Sequence, residues 1–351
     1  MLDEARRVAA EIGGLLGVAV DADTVLAGRA AILNLPQPGL VSAGGATRLL
    51  PTADEWCAIA LPRDDDVAAL PALIEVDAVT EPWDALAAWA ATHSAAEVAK
   101  RAQLLDIATA VLGEATAGAP AIRTCGAGVS PRPLDRLLVA DLSSLWAGPL
   151  CGQLLARAGA TVVKVESPRR PDGTRRGDPA FFDWMNARKL SYAVDFDSER
   201  LRALLGVADI VIEGSRPAAL QRRKLDADSV AGRPGRIWVR INGYRDQPDR
   251  AAFGDDAAVA GGLVGGGLGG PVFFGDAIAD PLSGLEAAWA IGESLHRGGG
   301  EVIDVAMAQV AARYAAFPRT EIPKAARPAT TPASPLGADN AAVDRLVAER
   351  C

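Results

Sequence analysis

The residues best spaced for chemistry lie between Val139 and Lys189. A loop of mostly small residues, SSLWAGP, follows the apolar run LLVADL and precedes the helically spaced GQLLARAGA and the β-branched TVVKVE, which ends at Glu166. A carboxylate at the end of the second strand of such a unit is where nucleotide-binding folds hold a ribose hydroxyl, although any strand end can carry a solvated acid. Lys164, Arg169, Arg170, Arg175, Arg176, Arg188 and Lys189 crowd the same span. A rim of cations beside a loop suits phosphate, with solvated surface charge as the plain alternative. The loop offers only Gly148 and Gly152, with Trp146 and Pro149 around them. It therefore lacks G-x-G-x-x-G, which argues against a nicotinamide or flavin site and leaves another nucleotide-bearing ligand as the first expectation.

To position these groups the chain needs a strand, a helix and a second parallel strand, which place the first loop at the carboxyl edge of a sheet. The alternation continues through LSYAVDF, a helix around Glu199 to Val207, ADIVIEG, RIWVRING and EVIDVAM. It predicts an α/β fold: a doubly wound, mainly parallel Rossmann-like sheet over 134–317 with a second, smaller α/β domain. That domain is expected over 1–113, with strands in ATRLLPTADEWCAIALP turning at Ala53 to Glu55, and helical spacing from Asp84 to Gly113. The Gly-, Ala- and Pro-rich 114–133 reads as a linker, and 318–351 as a Pro/Ala-rich tail with a short C-terminal helix. GGLVGGGLGG at 261–270 is either a loop that presents N–H groups to an anion or a flexible connection.

Composition narrows the function. The 351 residues are 50% apolar, and a net charge of −8 argues against a general nucleic-acid or anionic-membrane surface. Four scattered cysteines without a C-x-x-C pair, and two histidines, give little material for a zinc site, a disulfide framework or a Ser-His-Asp triad. The opening MLDEARRVAAEIGGLLGVAV lacks the features of a secretory leader, and no apolar run reaches spanning length, so a reducing cytoplasm is expected.

Five ordered segments carry a resemblance: LLVADLSSLWAGPLCGQLLARAGATVVKVESP, NARKLSYAVDF, ADIVIEGSRPAAL, GDAIADPLSGLEAAWAIGESL and IDVAMAQV, with ASPLGADNAAV near the end. In these the chain resembles the class III coenzyme A transferases, the carnitine dehydratase and bile-acid-inducible family. The resemblance implies a CoA-transferase that moves CoA between an acyl-CoA and a carboxylate acceptor through an aspartyl anhydride, with CoA as substrate, no metal and a homodimeric assembly. The position matching the family's nucleophile is Asp280, which with Pro281 also reads as a helix cap and first residue. Candidates on the CoA side are Ala147, Gly148, Asn186, Lys189 and Arg216, with Glu166 near the adenosine and Arg169 and Arg170 near the phosphates.

Three departures stand out. Trp146 replaces a glutamine and Gly214 an asparagine common in the transferases, and Asp255 stands where the racemase branch of the family has a histidine. The first two fit a catalytically degenerate CoA-binding protein as an alternative. Asp255 counts against a racemase or isomerase unless its pKa is raised. The small-domain motifs stand at the N-terminus instead of after IDVAMAQV, as in a rearranged or permuted chain.

Overall fold

The computed structural model describes residues 1–351. The chain begins with helices α1 (Leu2–Leu16) and α2 (Ala22–Leu33), followed by the hairpin β1 (Thr47–Pro51) and β2 (Trp56–Ala60). Helices α3 (Asp64–Ala68), α4 (Leu70–Ile74), α5 (Pro82–Ala90) and α6 (Ala95–Leu104) lead to β3 (Thr109–Val111), which pairs with β2. The hairpin turns where Ala53 to Glu55 were expected to turn. The helical pattern running to Gly113 instead stops at Leu104, because Thr109 to Val111 complete a three-stranded antiparallel sheet.

The second sheet receives β4 (Ala121–Thr124), β5 (Leu138–Asp141), β6 (Thr161–Glu166), β7 (Leu190–Ala193), β8 (Ile210–Glu213) and β9 (Ile237–Asn242). Between them run α7 (Ala147–Arg157), α8 (Pro179–Asn186), α9 (Glu199–Val207) and α10 (Pro217–Gln221). Then follow α11 (Gly254–Ala260), the two-stranded hairpin β10 (Val264–Gly267) and β11 (Gly270–Phe273), α12 (Ala279–Arg297), β12 (Glu301–Ala306), α13 (Met307–Ala315) and α14 (Asn340–Ala348). The seven-stranded order is β4-β12-β9-β8-β5-β6-β7, parallel except for β4. Read from β7, the six parallel strands follow the Rossmann order, which reverses between β5 and β8 and opens a crevice at their carboxyl ends. The fold is thus mixed α/β and doubly wound.

Strand alternation divides the apolar residues between two faces. Val139, Val162, Ile212, Val239 and Ile303 enter a core of 57 residues shared with α1, α7, α12 and α13. Leu138, Val163, Val211 and Val302 enter another of 20 residues under α9 and α14. A third core, of 13 residues from Leu50 to Ile107, belongs to the small sheet. Helices α1 and α2 contribute Ile12, Leu16, Val25 and Leu26 to the large core, although they lie within the span expected to form the small domain. Helix α1 packs on α12, and α2 on α8 and α12. Residues 114–133, expected to be a linker, supply β4, and Gly126 and Val129 donate to the carbonyls of Gly300 and Gly298 at 3.1 and 2.8 Å.

The other edge of the sheet is closed by the tail. Asp339 Oδ2 accepts from Ser191 N at 2.8 Å, while Asn340 accepts from Ala193 N at 2.9 Å and donates to its carbonyl at 3.0 Å. The glycine-rich 261–270 stretch forms most of the β10–β11 hairpin, held by Phe273 N on Gly39 O at 2.9 Å and by Arg319 on the carbonyls of Gly262 and Val264.

Candidate active site

The site is built where the loop after β5 meets the start of α12. The loop is held from below: Asp141 pairs with Lys189 at 2.7 Å, and Asp172 pairs with Lys164 at 2.8 Å. Asp172 also accepts from the backbone N–H of Leu145 at 3.2 Å, while Lys164 donates to the Ser143 carbonyl. Leu145 takes φ of 70°, a left-handed conformation costly for a leucine, and these bonds hold it there. The turn delivers Trp146 to the buried end of α7. A Cβ at Gly148 would lie 2.2 Å from the Ser143 side chain, so glycine is needed for the loop to fold back.

Asp280 is the second residue of α12. The expected cap at this position moves two residues upstream, since Ile278 is the N-cap and offers no side-chain bond. The start of α7 packs against α12, so two helix N-termini lie beside the Asp280 carboxyl, and the Ala147 N–H acts to lower its pKa. Gly254 lies against it: a Cβ there would come within 2.4 Å of Asp280 Oδ2. Burial nonetheless dominates, and with Asp255 and Asp276 nearby it raises the Asp280 pKa to about 7 against the opposing pull of Arg29.

Three carboxylates share this corner. Asp255 accepts from Ala277 N at 3.0 Å and from Thr47 Oγ1 at 3.4 Å, and burial followed by the charge of Asp276 raises it to about 6. Asp276 is 4% exposed, leaves Oδ2 without a partner, and is raised by burial against Arg29. Like charge adds to burial here: Asp276 raises Asp255, and both raise Asp280. Arg29 of α2 forms an ion pair with Asp276 and lies 5.6 Å from the Trp146 ring and 5.4 Å from that of Phe181. Sequence reasoning did not find it.

The CoA-side candidates divide. Ala147, Gly148 and Asn186 are buried around the loop; Asn186 donates to Phe182 O at 3.0 Å and leaves its Oδ1 without a partner. Arg169 and Arg170 are exposed, and Arg169 makes one loose contact with Asp195 at 3.5 Å. Arg216 bonds Asp106 of the small unit at 2.6 Å, at the edge of a cavity of about 270 Å³ that Asp106, Gln103 and Arg250 help to line. Two further candidates are buried and already paired. Lys189 is 4% exposed, and its ammonium donates to Asp141 and the Pro149 carbonyl. Glu166 is 3% exposed and is held by Arg175 at 2.8 and 2.6 Å and by Asp172 N at 3.0 Å. The same pairing removes Arg175 and Lys164 from the expected cationic rim, leaving Arg169, Arg170, Arg176 and Arg188 at the surface.

The chain matches the model of CoA-transferase family III over residues 134–341. It is 31% identical over 197 residues to a succinyl-CoA–D-citramalate CoA-transferase of Chloroflexus aurantiacus, covering 50% of this chain and 49% of that protein. It is 32% identical over 206 residues to a succinate–glutarate CoA-transferase of Agrobacterium fabrum, covering 51% and 52% respectively. A solved structure of a CAIB/BAIF family protein from Brucella suis is similar over 52% of this chain and 55% of that one, with 29% identity and a TM-score of 0.47. The chain thus spans about half the length of the curated relatives it matches. Arg29 and the whole small sheet lie outside the matched segment, while Trp146, Asp255, Asp276 and Asp280 lie within it. The chain belongs to CoA-transferase family III.

Proposed function

We propose that the protein transfers CoA between an acyl-CoA thioester and a carboxylate acceptor, with Asp280 as the acyl-accepting nucleophile. The supporting observation is the Asp280 carboxyl itself, set at the meeting of two helix N-termini with a pKa raised to about 7, so that it is part ionised near neutrality. The carboxylate attacks the thioester carbonyl, the C–S bond breaks, and CoA leaves as thiolate with the acyl group retained as an anhydride. The thiolate then attacks the aspartyl carbonyl, releasing the original acid. The acceptor carboxylate next attacks the aspartyl thioester, and returning thiolate cleaves the new anhydride at the acceptor's carbonyl, which regenerates Asp280. Positive potential from the α7 N-terminus favours the developing oxyanion.

CoA would approach over Ala147 and Gly148, with its phosphates toward Arg169 and Arg170 and with Asn186 and Arg216 along its path. The small unit built on β1–β3 would cover the mouth as a domain of its own, and the working assembly would be a homodimer in the cytoplasm. Four unpaired cysteines suit a reducing compartment. Mass spectrometry of the protein incubated with a panel of acyl-CoAs tests the reaction. A covalent adduct on the Asp280 peptide, absent from Asp280→Asn, is expected; CoA binding without any adduct would overturn it.

A second reading has one observation in its favour. Asp255, raised to about 6, can cycle a proton near neutral pH beside Asp280, as exchange at an α-carbon requires. Deuterium entering the α-position of a 2-methylacyl-CoA in heavy water, and lost in Asp255→Asn, would favour it over transfer.

A further inference from the structure

We propose that Arg132, Arg233 and Arg350, gathered on Asp209 at the amino edge of the large sheet, form a second anion site that takes a phosphate group. Asp209 immediately precedes β8, whereas Asp141 and Glu213 end β5 and β8. This corner therefore lies at the opposite end of the strands from the loop that carries Ala147. The site does not depend on the reaction assigned to Asp280.

Asp209 is buried, and its Oδ2 accepts from Leu138 N and from Arg350 Nη1, both at 2.9 Å. Its Oδ1 lies 2.9 Å from Arg132 Nη2 and 3.6 Å from Arg233 Nη2, yet takes no hydrogen bond. Those two guanidinium groups are held by charge and not by a fork-to-carboxylate fit, which leaves N–H groups for another acceptor. Arg233 donates to the Val207 carbonyl, and Arg350 Nη2 to the Arg136 carbonyl at 2.9 Å. Asp209 is the one acid paired with any of the three arginines; Asp135 and Glu349, close by in sequence, are exposed and pair with none of them. Arg236 beside them has a structural part: it is buried and donates to the carbonyls of Gly206 at 2.7 Å and Ala208 at 3.3 Å, closing the end of α9.

Three cations thus meet one carboxylate in a chain whose net charge is −8, so the excess is local. Their side chains are 33, 33 and 24% exposed, within reach of a ligand from solvent. Guanidinium groups crowded in this way repel one another until an anion bridges them. A phosphate brings enough charge and at least three acceptor oxygens, one for each arginine, whereas a carboxylate has two.

The test is a calorimetric titration of the full chain with sodium phosphate and with phenyl phosphate, each compared with sodium chloride at equal ionic strength. Wild type is expected to bind inorganic phosphate, and Arg132→Gln/Arg233→Gln to bind it at least about tenfold more weakly, since two charged donors are lost. Asp209 keeps Arg350 and the Leu138 N–H in that variant, so it should fold. A second measurement needs only the milder Arg132→Gln: nitrogen-15 spectra of the arginine Nε–H groups, with the Arg132 signal identified by its loss, should show that signal shift with phosphate and not with chloride. Binding of both probes assigns the site to a phosphate group on a larger ligand, and binding of inorganic phosphate alone assigns it to the free ion; either supports the proposal. Heats no greater than those of chloride for both probes, a double variant that binds as wild type does, or an unmoved Arg132 signal overturns it.

Discussion

Replacing Gly284 with alanine tests how the site is held. Gly284 lies one turn beyond Asp280 on the same face of α12, turned toward α7. A Cβ there would meet the Ala147 carbonyl oxygen at 2.7 Å, Leu150 Cδ2 at 2.8 Å and Leu150 Cβ at 3.1 Å. The leucine methyl can rotate away, but the carbonyl belongs to the first residue of α7 and moves only if that helix moves. Overpacking of this kind costs about 1–3 kcal/mol, and the backbone contact places it toward the top of that range. Against it stands a helix-propensity gain of about 1 kcal/mol for alanine over glycine. The net expectation is a loss of about 1–2 kcal/mol. Gly14→Ala is the control: it sits exposed in α1 with nothing within 4 Å of its added Cβ, and should gain about 0.5–1 kcal/mol. Urea denaturation of both variants, with m unchanged, reads the difference. If Gly284→Ala is as stable as Gly14→Ala, the close approach of α7 to α12 is not what holds the two helices together beside Asp280.

Other expectations can be checked alongside. Asp280→Asn should fold normally and lose turnover in a CoA-exchange assay, and Asp280→Ala should be nearly as stable, because the residue is not the cap of α12. Asp256, Asp280, Glu213 and Asp255 are raised to about 8, 7, 7 and 6 by burial. Each folded state then holds its proton above the unfolded pKa, so stability present below pH 4 is lost as the pH rises to about 8. Asp256→Asn should flatten that decline in urea melts at pH 5.5 and 8, and an equal slope in both proteins would refute the assignment. Arg169→Ala/Arg170→Ala should weaken CoA binding and reduce its dependence on salt in calorimetry, because exposed cations act through screened charge; an unchanged salt slope would move the phosphates elsewhere.

The β5–α7–β6 unit was legible because its periodicities are long and cleanly bounded, and the Rossmann order follows from repeating it. Asp280 was legible only through a family motif. Arg29 was not, since it lies 247 residues from Asp276 and in the sequence is one more arginine in an alanine-rich helix. The partners of Lys164 and Lys189 were not legible, because composition shows cations but not what they pair with. Lys164 sits on a strand buried along nearly its whole length, where no alternation separates an inward lysine from a solvated one. β4 was missed because four residues between glycine and proline stretches carry no period of their own, and its pairing partner β12 is far along the chain.

The clasp of Asp339 and Asn340 on β7 gives the two borders of the sheet unequal fates. On the β7 side the outward N–H and C=O groups already have side-chain partners, so another strand would have to displace the tail before it could pair there. On the β4 side a four-residue strand faces solvent, with Ile122 46% exposed and Arg123 reaching to Asp228. Any growth of the sheet by a second chain is directed to β4, and the shortness and charge of that border keep it brief. Removing Asp339 to Cys351 would leave both borders open at once, turning a one-sided sheet into one that can be extended from either end.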